Sequence, residues 1–199
     1  MSTLQSLLLE IRNCRACEAD LPLGPRPIVA AGEDSRILIV GQAPGVRVHQ
    51  SGVPWNDPSG QRLREWMKIR ENDFYDPAIT ALAPMGFCYP GTGDSGDLPP
   101  RPECAELWHK RLFSELKKVE LTLVIGSYAQ AYLLNEPAKT TLTQTVRKWR
   151  EYSPQKLPLP HPSPRNNRWL KKNPWFEEEV VPYLQTRVEQ ILSEVRKER

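Results

Sequence analysis

The chain has 199 residues, of which 39% are hydrophobic and 26% charged, and these proportions are typical of a soluble globular protein. No apolar run approaches the roughly 20 residues that a membrane-spanning helix needs, which excludes an integral membrane protein, and the absence of a basic leader at the start predicts a cytoplasmic one. The net charge of +3 permits a nucleic-acid partner without requiring one.

The first half of the chain predicts helices and strands in alternation. Helical apolar spacing covers residues 4–13, and RILIVG (36–41) predicts a short buried strand that leads into the loop GQAPG. Asp57 can cap a helix, since the next residue, Pro58, suits the first helical position. The segment AIT (78–80) predicts a second strand.

The second half continues this pattern. Residues 84–100 predict a long loop rich in proline and glycine, and Pro102 then begins a helix. LTLVIGS (121–127) predicts a third buried strand, whereas KLPLP (156–160) predicts a strand at a sheet edge, because proline is tolerated there. The alternation predicts an α/β fold, a parallel sheet with helices on both faces.

Two loops are expected to meet at one end of this sheet. Ligands of parallel α/β sheets bind beyond the carboxyl ends of the strands, where GQAPG (41–45) and HPSP (161–164) follow the first and last strands. Their side chains, and those of the segment 49–57, suit a planar heterocycle. Two of them also have simpler interpretations, since Trp55 fits core packing and Asp57 fits a helix cap. The candidates are Gln42, His49, Trp55, Asn56, Asp57, His161, Ser163 and Arg165.

The four cysteines form the second notable pattern. Cys14 and Cys17 are a C-x2-C pair, and Cys88 and Cys104 lie at either end of the Pro/Gly loop. Disulfides are not expected in a cytosolic chain. Four thiolates suit either zinc or a 4Fe–4S cluster, and the composition does not choose between them. Alternatively, Cys88 and Cys104 are ordinary buried residues.

These motifs, taken in order, resemble the uracil-DNA glycosylase superfamily, and most closely its iron–sulfur branch, family 4. The resemblance is carried by GQAPG, SGVPWNDPSGQRL, the cysteine framework, LVIGS and HPSP, over roughly residues 5–185. It implies a three-layer α/β/α fold around a four-stranded parallel sheet. It also implies a single domain over 1–199 in which the N-terminal helix and the 84–104 loop hold a structural 4Fe–4S cluster. The implied cluster ligands are Cys14, Cys17, Cys88 and Cys104.

The resemblance also implies roles at the predicted crevice. Gly41, Gln42 and Ala43 belong to the loop that activates water and binds the base, Trp55 stacks on the flipped base, and His161 hydrogen-bonds the uracil O2. The implied function is a DNA glycosylase that hydrolyses the N-glycosidic bond of a deaminated base, uracil above all, in damaged DNA. Nothing in the sequence suggests an obligate oligomer, so a monomer is expected. The alternatives are an inactive nucleic-acid-binding module on this fold and a cluster or zinc protein that binds a small heterocycle.

The sequence departs from the family's catalytic motif. Gln42 and Ala43 stand where family members carry an acid, so the first motif has no carboxylate. Gln42 can orient water, as an amide does more weakly than a carboxylate. The other candidate for the base is Asp57, alone or with His49, and Asp57 is preferred.

A second departure concerns the choice of base. Ala81 stands where an asparagine commonly reads the pyrimidine edge. Either the pocket accepts a deaminated base other than uracil, or Asn56 recognises the pyrimidine edge instead.

The residues after the histidine predict the DNA contact. Basic side chains in this segment would bind phosphates, and Arg165 or Asn166 would fill the space that the flipped base leaves. A solvated loop is the alternative. The predicted DNA-binding residues are Ser163, Arg165, Asn166 and Arg168.

Overall fold

The computed structural model of the chain describes residues 2–94, 96–137 and 139–198. Four parallel strands form its central sheet in the order β2-β1-β5-β6, and β3 and β4 form a separate antiparallel hairpin. The strands are β1 (Ile37–Val40), β2 (Thr80–Leu82), β3 (Thr92–Gly93), β4 (Gly96–Asp97), β5 (Leu121–Ile125) and β6 (Lys156–Leu159).

Helices connect these strands. The α-helices are α1 (Thr3–Arg12), α2 (Val46–Ser51), α3 (Pro58–Met67), α4 (Glu71–Phe74), α5 (Lys110–Glu115), α6 (Gly126–Leu133), α7 (Leu142–Arg147), α8 (Trp149–Tyr152), α9 (Asn167–Lys172) and α10 (Val181–Glu198). Two π-helical segments, Ala105–His109 and Phe176–Val180, lead into α5 and α10, and short 3-10 turns cover Glu18–Asp20 and Pro164–Asn166. No helix in the described part of the chain combines the length and apolarity needed to cross a bilayer.

Side-chain alternation along the strands produces the layers. Ile37 and Ile39 of β1 face a core shared with α3, α7 and α10, whereas Leu38 and Val40 face a core shared with α1, α5 and α6. A strand covered on both faces must be apolar throughout, as β1 is. The predicted three-layer α/β/α fold around a four-stranded parallel sheet is confirmed.

The edge of the sheet accommodates a proline. Among the described residues, β6 pairs only with β5, and Pro158 lies opposite Val124 within that pairing. Because an edge strand leaves one side without a partner, the missing N–H of proline breaks no ladder there. The predicted edge position of this strand is therefore confirmed.

Some predicted boundaries are wrong. The second strand begins at Thr80 rather than at residue 78, because the backbone N–H of Ala78 donates to Asp76 Oδ1 (2.9 Å) in a turn that delays the strand. The predicted loop 84–100 contains the β3–β4 hairpin, and a short helix, α2, directly follows GQAPG. Both elements border the site described next.

Candidate active site

The loops that follow β1 and β6 converge at the carboxyl end of the sheet and border a cavity of about 230 Å³. This volume lies below the range of about 300–1,000 Å³ that drug-sized ligands occupy, and it suits a single heterocyclic ring. The sequence-predicted residues that line the cavity are Gly41, Gln42, Ala43, Trp55, Asp57, His161, Ser163 and Arg165. The expected crevice between the two distant loops is therefore present.

Two aromatic rings define the interior of the cavity. The ring centroids of Trp55 and His161 lie 5.8 Å apart with an interplanar angle of 26°. The pKa of His161 lies below its ordinary value because burial disfavours the imidazolium, an effect that the negative charges of Asp57 and Asp97 only partly oppose. A neutral imidazole keeps one N–H donor and carries no charge at neutral pH.

The indole of Trp55 is held by an unusual backbone. Its φ of +57° lies in the left-handed region, which a bulky residue rarely adopts. Gly60 permits this arrangement, because a Cβ there would lie 1.7 Å from the Trp55 carbonyl oxygen. The ring then lies on Gly41, where a Cβ would be 2.9 Å from Trp55 Cζ2. Backbone strain maintained by its surroundings is common at ligand sites.

Hydrogen bonds hold the histidine loop in place. The side-chain amide of Asn166 donates to the His161 carbonyl oxygen at 2.7 Å. On the strand that precedes the loop, the buried Gln130 of α6 donates to the Leu159 carbonyl oxygen at 2.9 Å. The prolines stiffen the backbone between these two points. The start of the loop is thus tied to α6, and Asn166 braces the loop internally.

Ser163 and its neighbours shape the rim. The Ser163 hydroxyl accepts a hydrogen bond from the Arg165 backbone N–H (3.2 Å), and Arg62 of α3 donates to the Ser163 carbonyl oxygen (3.2 Å). Arg165 is exposed and lines the cavity mouth. Arg168 is also exposed but does not line the cavity. Of the two residues expected to replace the flipped base, Asn166 is engaged within its own loop, whereas Arg165 faces solvent.

Asp57 and Gln42 each make a structural hydrogen bond beside the cavity. Asp57 Oδ1 accepts from the Gly60 backbone N–H at 2.8 Å, so the predicted cap of α3 is confirmed while the residue also lines the cavity. The amide nitrogen of Gln42 donates to the Leu98 carbonyl oxygen at 3.0 Å. Gln42 therefore joins the first motif to the hairpin segment.

Sequence reasoning missed Asp97, a third acidic or amide side chain at this cavity. It ends β4 and lines the cavity. The prediction of a structureless loop concealed it. The signal was Gly96, whose φ of +138° lies in a region that residues with a side chain rarely adopt.

Two predicted base-contacting residues lie outside the cavity. His49 falls on the buried face of α2, where its ring lies 6.0 Å from that of Tyr89. The pKa of His49 is lowered by burial and, to a lesser extent, by Arg26. Asn56 is exposed and also does not line the cavity. Ala81 is buried in the helix-covered face of β2.

The four cysteines are free, and the other three thiols are close enough to act electrostatically on Cys104. Cys17 and Cys88 share a small apolar cluster, and the Phe87 backbone N–H donates to Cys104 Sγ at 3.4 Å. Burial, with smaller contributions from the neighbouring thiols, raises the pKa of Cys88 to about 11 and that of Cys104 to about 12. Within residues 2–94, 96–137 and 139–198, no three His, Cys, Asp or Glu side chains are grouped to hold a metal ion.

One comparison with known proteins bears on this site. The family model described as the uracil DNA glycosylase superfamily matches residues 29–185. The matched range contains the four strands of the sheet and both cavity loops, and it begins after Cys14 and Cys17.

Proposed function

Because the chain belongs to the uracil-DNA glycosylase superfamily, we propose that it hydrolyses the N-glycosidic bond of a deaminated base, uracil foremost, that has flipped out of DNA. The observation that carries this proposal is the shared cavity of Trp55 and His161, whose rings lie 5.8 Å apart between two loops more than 100 residues apart in the chain. A stacking surface and a fixed donor are the two things a flipped base requires.

Trp55 would favour base flipping. Extruding a base from the duplex costs a few kcal/mol, and stacking on an aromatic side chain recovers about 1–3 kcal/mol. The left-handed backbone of Trp55 and its contact with Gly41 fix the indole before the base arrives. Little ordering of the protein is then needed when the base binds.

His161 would stabilise the leaving group. When the bond between the sugar carbon and the base nitrogen breaks, its electron pair moves onto the base, which becomes an anion. The neutral imidazole of His161 donates a hydrogen bond to that anion, and the hydrogen bond from Asn166 to the loop keeps the donor in position. Donors fixed in advance stabilise developing charge without reorganising.

Water and DNA would approach from the open side of the cavity. A carboxylate is needed to orient the water, and Asp57 at the cavity wall is a candidate that its capping hydrogen bond also holds in place. The exposed Arg165 and Arg168 would bind the strand through its phosphates.

The thiols would hold a metal cofactor. We propose that Cys14, Cys17, Cys88 and Cys104 ligate a structural 4Fe–4S cluster, with zinc as the alternative. Support comes from the C-x2-C spacing and from the electrostatic influence of these thiols on one another. Iron, acid-labile sulfide and zinc contents of the purified protein distinguish the two, and Cys88→Ser should lower whichever is present. The cytoplasmic, monomeric state expected from the sequence stays a prediction.

Excision assays test the proposed function directly. Single- and double-stranded oligonucleotides carrying uracil, hypoxanthine or xanthine are incubated with the protein and then cleaved with alkali at abasic sites. Loss of one fixed donor to a developing anion costs about 100- to 1,000-fold in rate, so His161→Ala should lose excision by that factor. Asn167→Ala is the matched control, since Asn167 is an exposed residue of the same segment.

Other outcomes identify the alternatives. Salt-dependent DNA binding without abasic product would indicate a binding module, a possibility favoured by the lack of a carboxylate at Gln42 and Ala43. Absence of nucleic-acid binding at low salt would indicate a protein that binds a small heterocycle. Either result would overturn the glycosylase proposal.

A further inference from the structure

The first motif has no acid, but the fold brings one to it from elsewhere in the chain. Resting on the proposed glycosylase function, we propose that Asp97, at the end of the β3–β4 hairpin, is the carboxylate that orients the attacking water. Asp97 lines the same cavity as Trp55 and His161, although it lies more than 50 residues beyond the first motif in the chain.

The carboxylate of Asp97 lies directly against the first motif. A Cβ on Gly45 would be 3.3 Å from Asp97 Oδ2, a distance tighter than most real Cβ contacts. The glycine that ends GQAPG therefore leaves the space in which the carboxylate sits. Asp97 therefore places beside the first motif the carboxylate that the motif itself lacks.

Contacts on both sides hold the hairpin over the cavity. Gln42 donates to the Leu98 carbonyl oxygen at 3.0 Å, and the Leu98 backbone N–H donates to the Gly91 carbonyl oxygen at 2.9 Å. On the other side, Gly96 packs against Arg165, since a Cβ there would lie 2.5 Å from Arg165 Nη1. The hairpin thus touches both catalytic loops, and Gln42 becomes a residue that positions Asp97.

Asp97 is better placed to hold water than Asp57. Asp57 Oδ1 accepts the Gly60 N–H at the start of α3. In the part of the chain that the structure describes, the Asp97 carboxylate has no hydrogen bond and no ion pair. An unengaged carboxylate at the cavity mouth can accept a hydrogen bond from water. The Asp97 carboxylate also lies close enough to His161 that its negative charge partly opposes the lowering of the His161 pKa by burial.

The reaction balances with these groups. The oxygen of water bonds to the sugar carbon as the bond from that carbon to the base nitrogen breaks, and the electron pair leaves with the base. Asp97 accepts one proton of the water and later returns it to solvent. The anionic base, stabilised by His161, takes up a proton from solvent, so the products are the free base and an abasic site.

The test compares two acids of one hairpin. Asp97→Asn removes the charge from the cavity, and Asp94→Asn removes the same charge from an exposed position that does not line it. A positioned general base contributes about 100- to 10,000-fold, so single-turnover excision by Asp97→Asn should fall by at least about 100-fold. DNA binding should be unchanged or tighter, because a negative charge near phosphates has been removed. Asp94→Asn should excise at the wild-type rate.

Two results would overturn the assignment of Asp97. One is a wild-type excision rate in Asp97→Asn; a fall in melting temperature alongside it would mean that Asp97 only supports the nearby start of α2. The other is an equal loss of rate in both variants. Failure of the proposed function itself is distinguishable, because the wild-type protein would then excise no base.

A second variant probes the same contact from the motif side. Gly45→Ala places a methyl group where it crowds Asp97 Oδ2, so the carboxylate must shift while its charge is kept. Excision should fall in this variant, and adding Asp97→Asn to it should cause little further loss. Independent, multiplicative losses would count against a shared water site.

Discussion

At the scale of single residues, Asp57 combines a helix cap with a place in the cavity wall, and one substitution can separate the two. Its carboxylate caps α3 through the Gly60 N–H and also lines the cavity near His161. Asparagine caps helices about as well as aspartate does, but it has no charge. The substitution Asp57→Asn should therefore keep the helix and remove the negative charge.

We expect Asp57→Asn to slow excision by at least about 10-fold while leaving DNA affinity and melting temperature nearly unchanged. The physical reason is that a carboxylate beside the sugar stabilises the positive charge that develops there. Single-turnover rates and thermal melts of the variant are the measurements. As a control, Asp57→Ala should also lose about 1 kcal/mol of unfolding free energy, because it removes the cap. Unchanged turnover in Asp57→Asn would leave Asp57 with a capping role only.

At the scale of the element, some parts of the site could be predicted and others could not. α3 was predictable because Asp57-Pro58 is a local signal, and its cap is confirmed. The position of Asp97 depends on a hairpin whose strands have two residues each, too short to show a periodic pattern. The prediction of His49 in the crevice is wrong because residues 46–51 form α2 rather than a loop, and the helix turns the His49 ring inward.

The histidine loop is an element whose rigidity rests on a side chain within it. The Asn166 amide donates to the His161 carbonyl oxygen at 2.7 Å, so removing it should let the imidazole move during the reaction. We expect Asn166→Ala to lower the excision rate about 5- to 10-fold, which corresponds to the roughly 1 kcal/mol of one hydrogen bond. The measurement is the single-turnover rate together with DNA affinity.

The neighbouring residue provides the control for this prediction. Asn167→Ala truncates an exposed asparagine one position along the chain and should leave the rate unchanged. If Asn166→Ala instead lost DNA affinity by about 5- to 10-fold and kept its excision rate, the result would contradict this prediction. It would support the expectation that Asn166 contacts the DNA.

At the scale of the whole molecule, the topology explains why the main site could be located from the sequence. The carboxyl ends of parallel strands share one edge, so the order of strands and loops was enough to predict that GQAPG and HPSP meet. Gly126, which follows β5 between them, has a φ of +83° and would place a Cβ 4.0 Å from His161 Cβ. Contacts of this kind depend on packing between segments that are distant in the chain, and no local sequence pattern predicts them.

The stability of the whole domain should depend on a histidine far from the chemistry. His109 is fully buried among Phe87, Phe113 and Tyr132, and its Nε2–H donates to the Pro84 carbonyl oxygen at 3.1 Å. Pro84 lines the cavity, so this hydrogen bond joins the π-helical segment before α5 to the cavity wall. Burial lowers the pKa of His109 from 6.5 to about 4, with the Pro84 carbonyl acting in the opposite direction.

The sign of the resulting pH dependence follows from this shift. Between pH 6.5 and about 4 the unfolded chain binds a proton at His109 that the folded protein does not. The contribution of His109 to the free energy of unfolding is therefore complete above pH 6.5 and is lost as the pH falls toward 4. A shift of this size corresponds to about 3 kcal/mol of unfolding free energy. Urea unfolding of the wild type and of His109→Gln across this range measures it. The variant should be less stable at pH 7 but lose less stability on acidification, because it lacks the titration of His109. The loss that remains comes from groups such as His49 and His161, whose pKa values burial also lowers. Parallel curves for the two proteins would show that His109 does not set the acid limit of the fold.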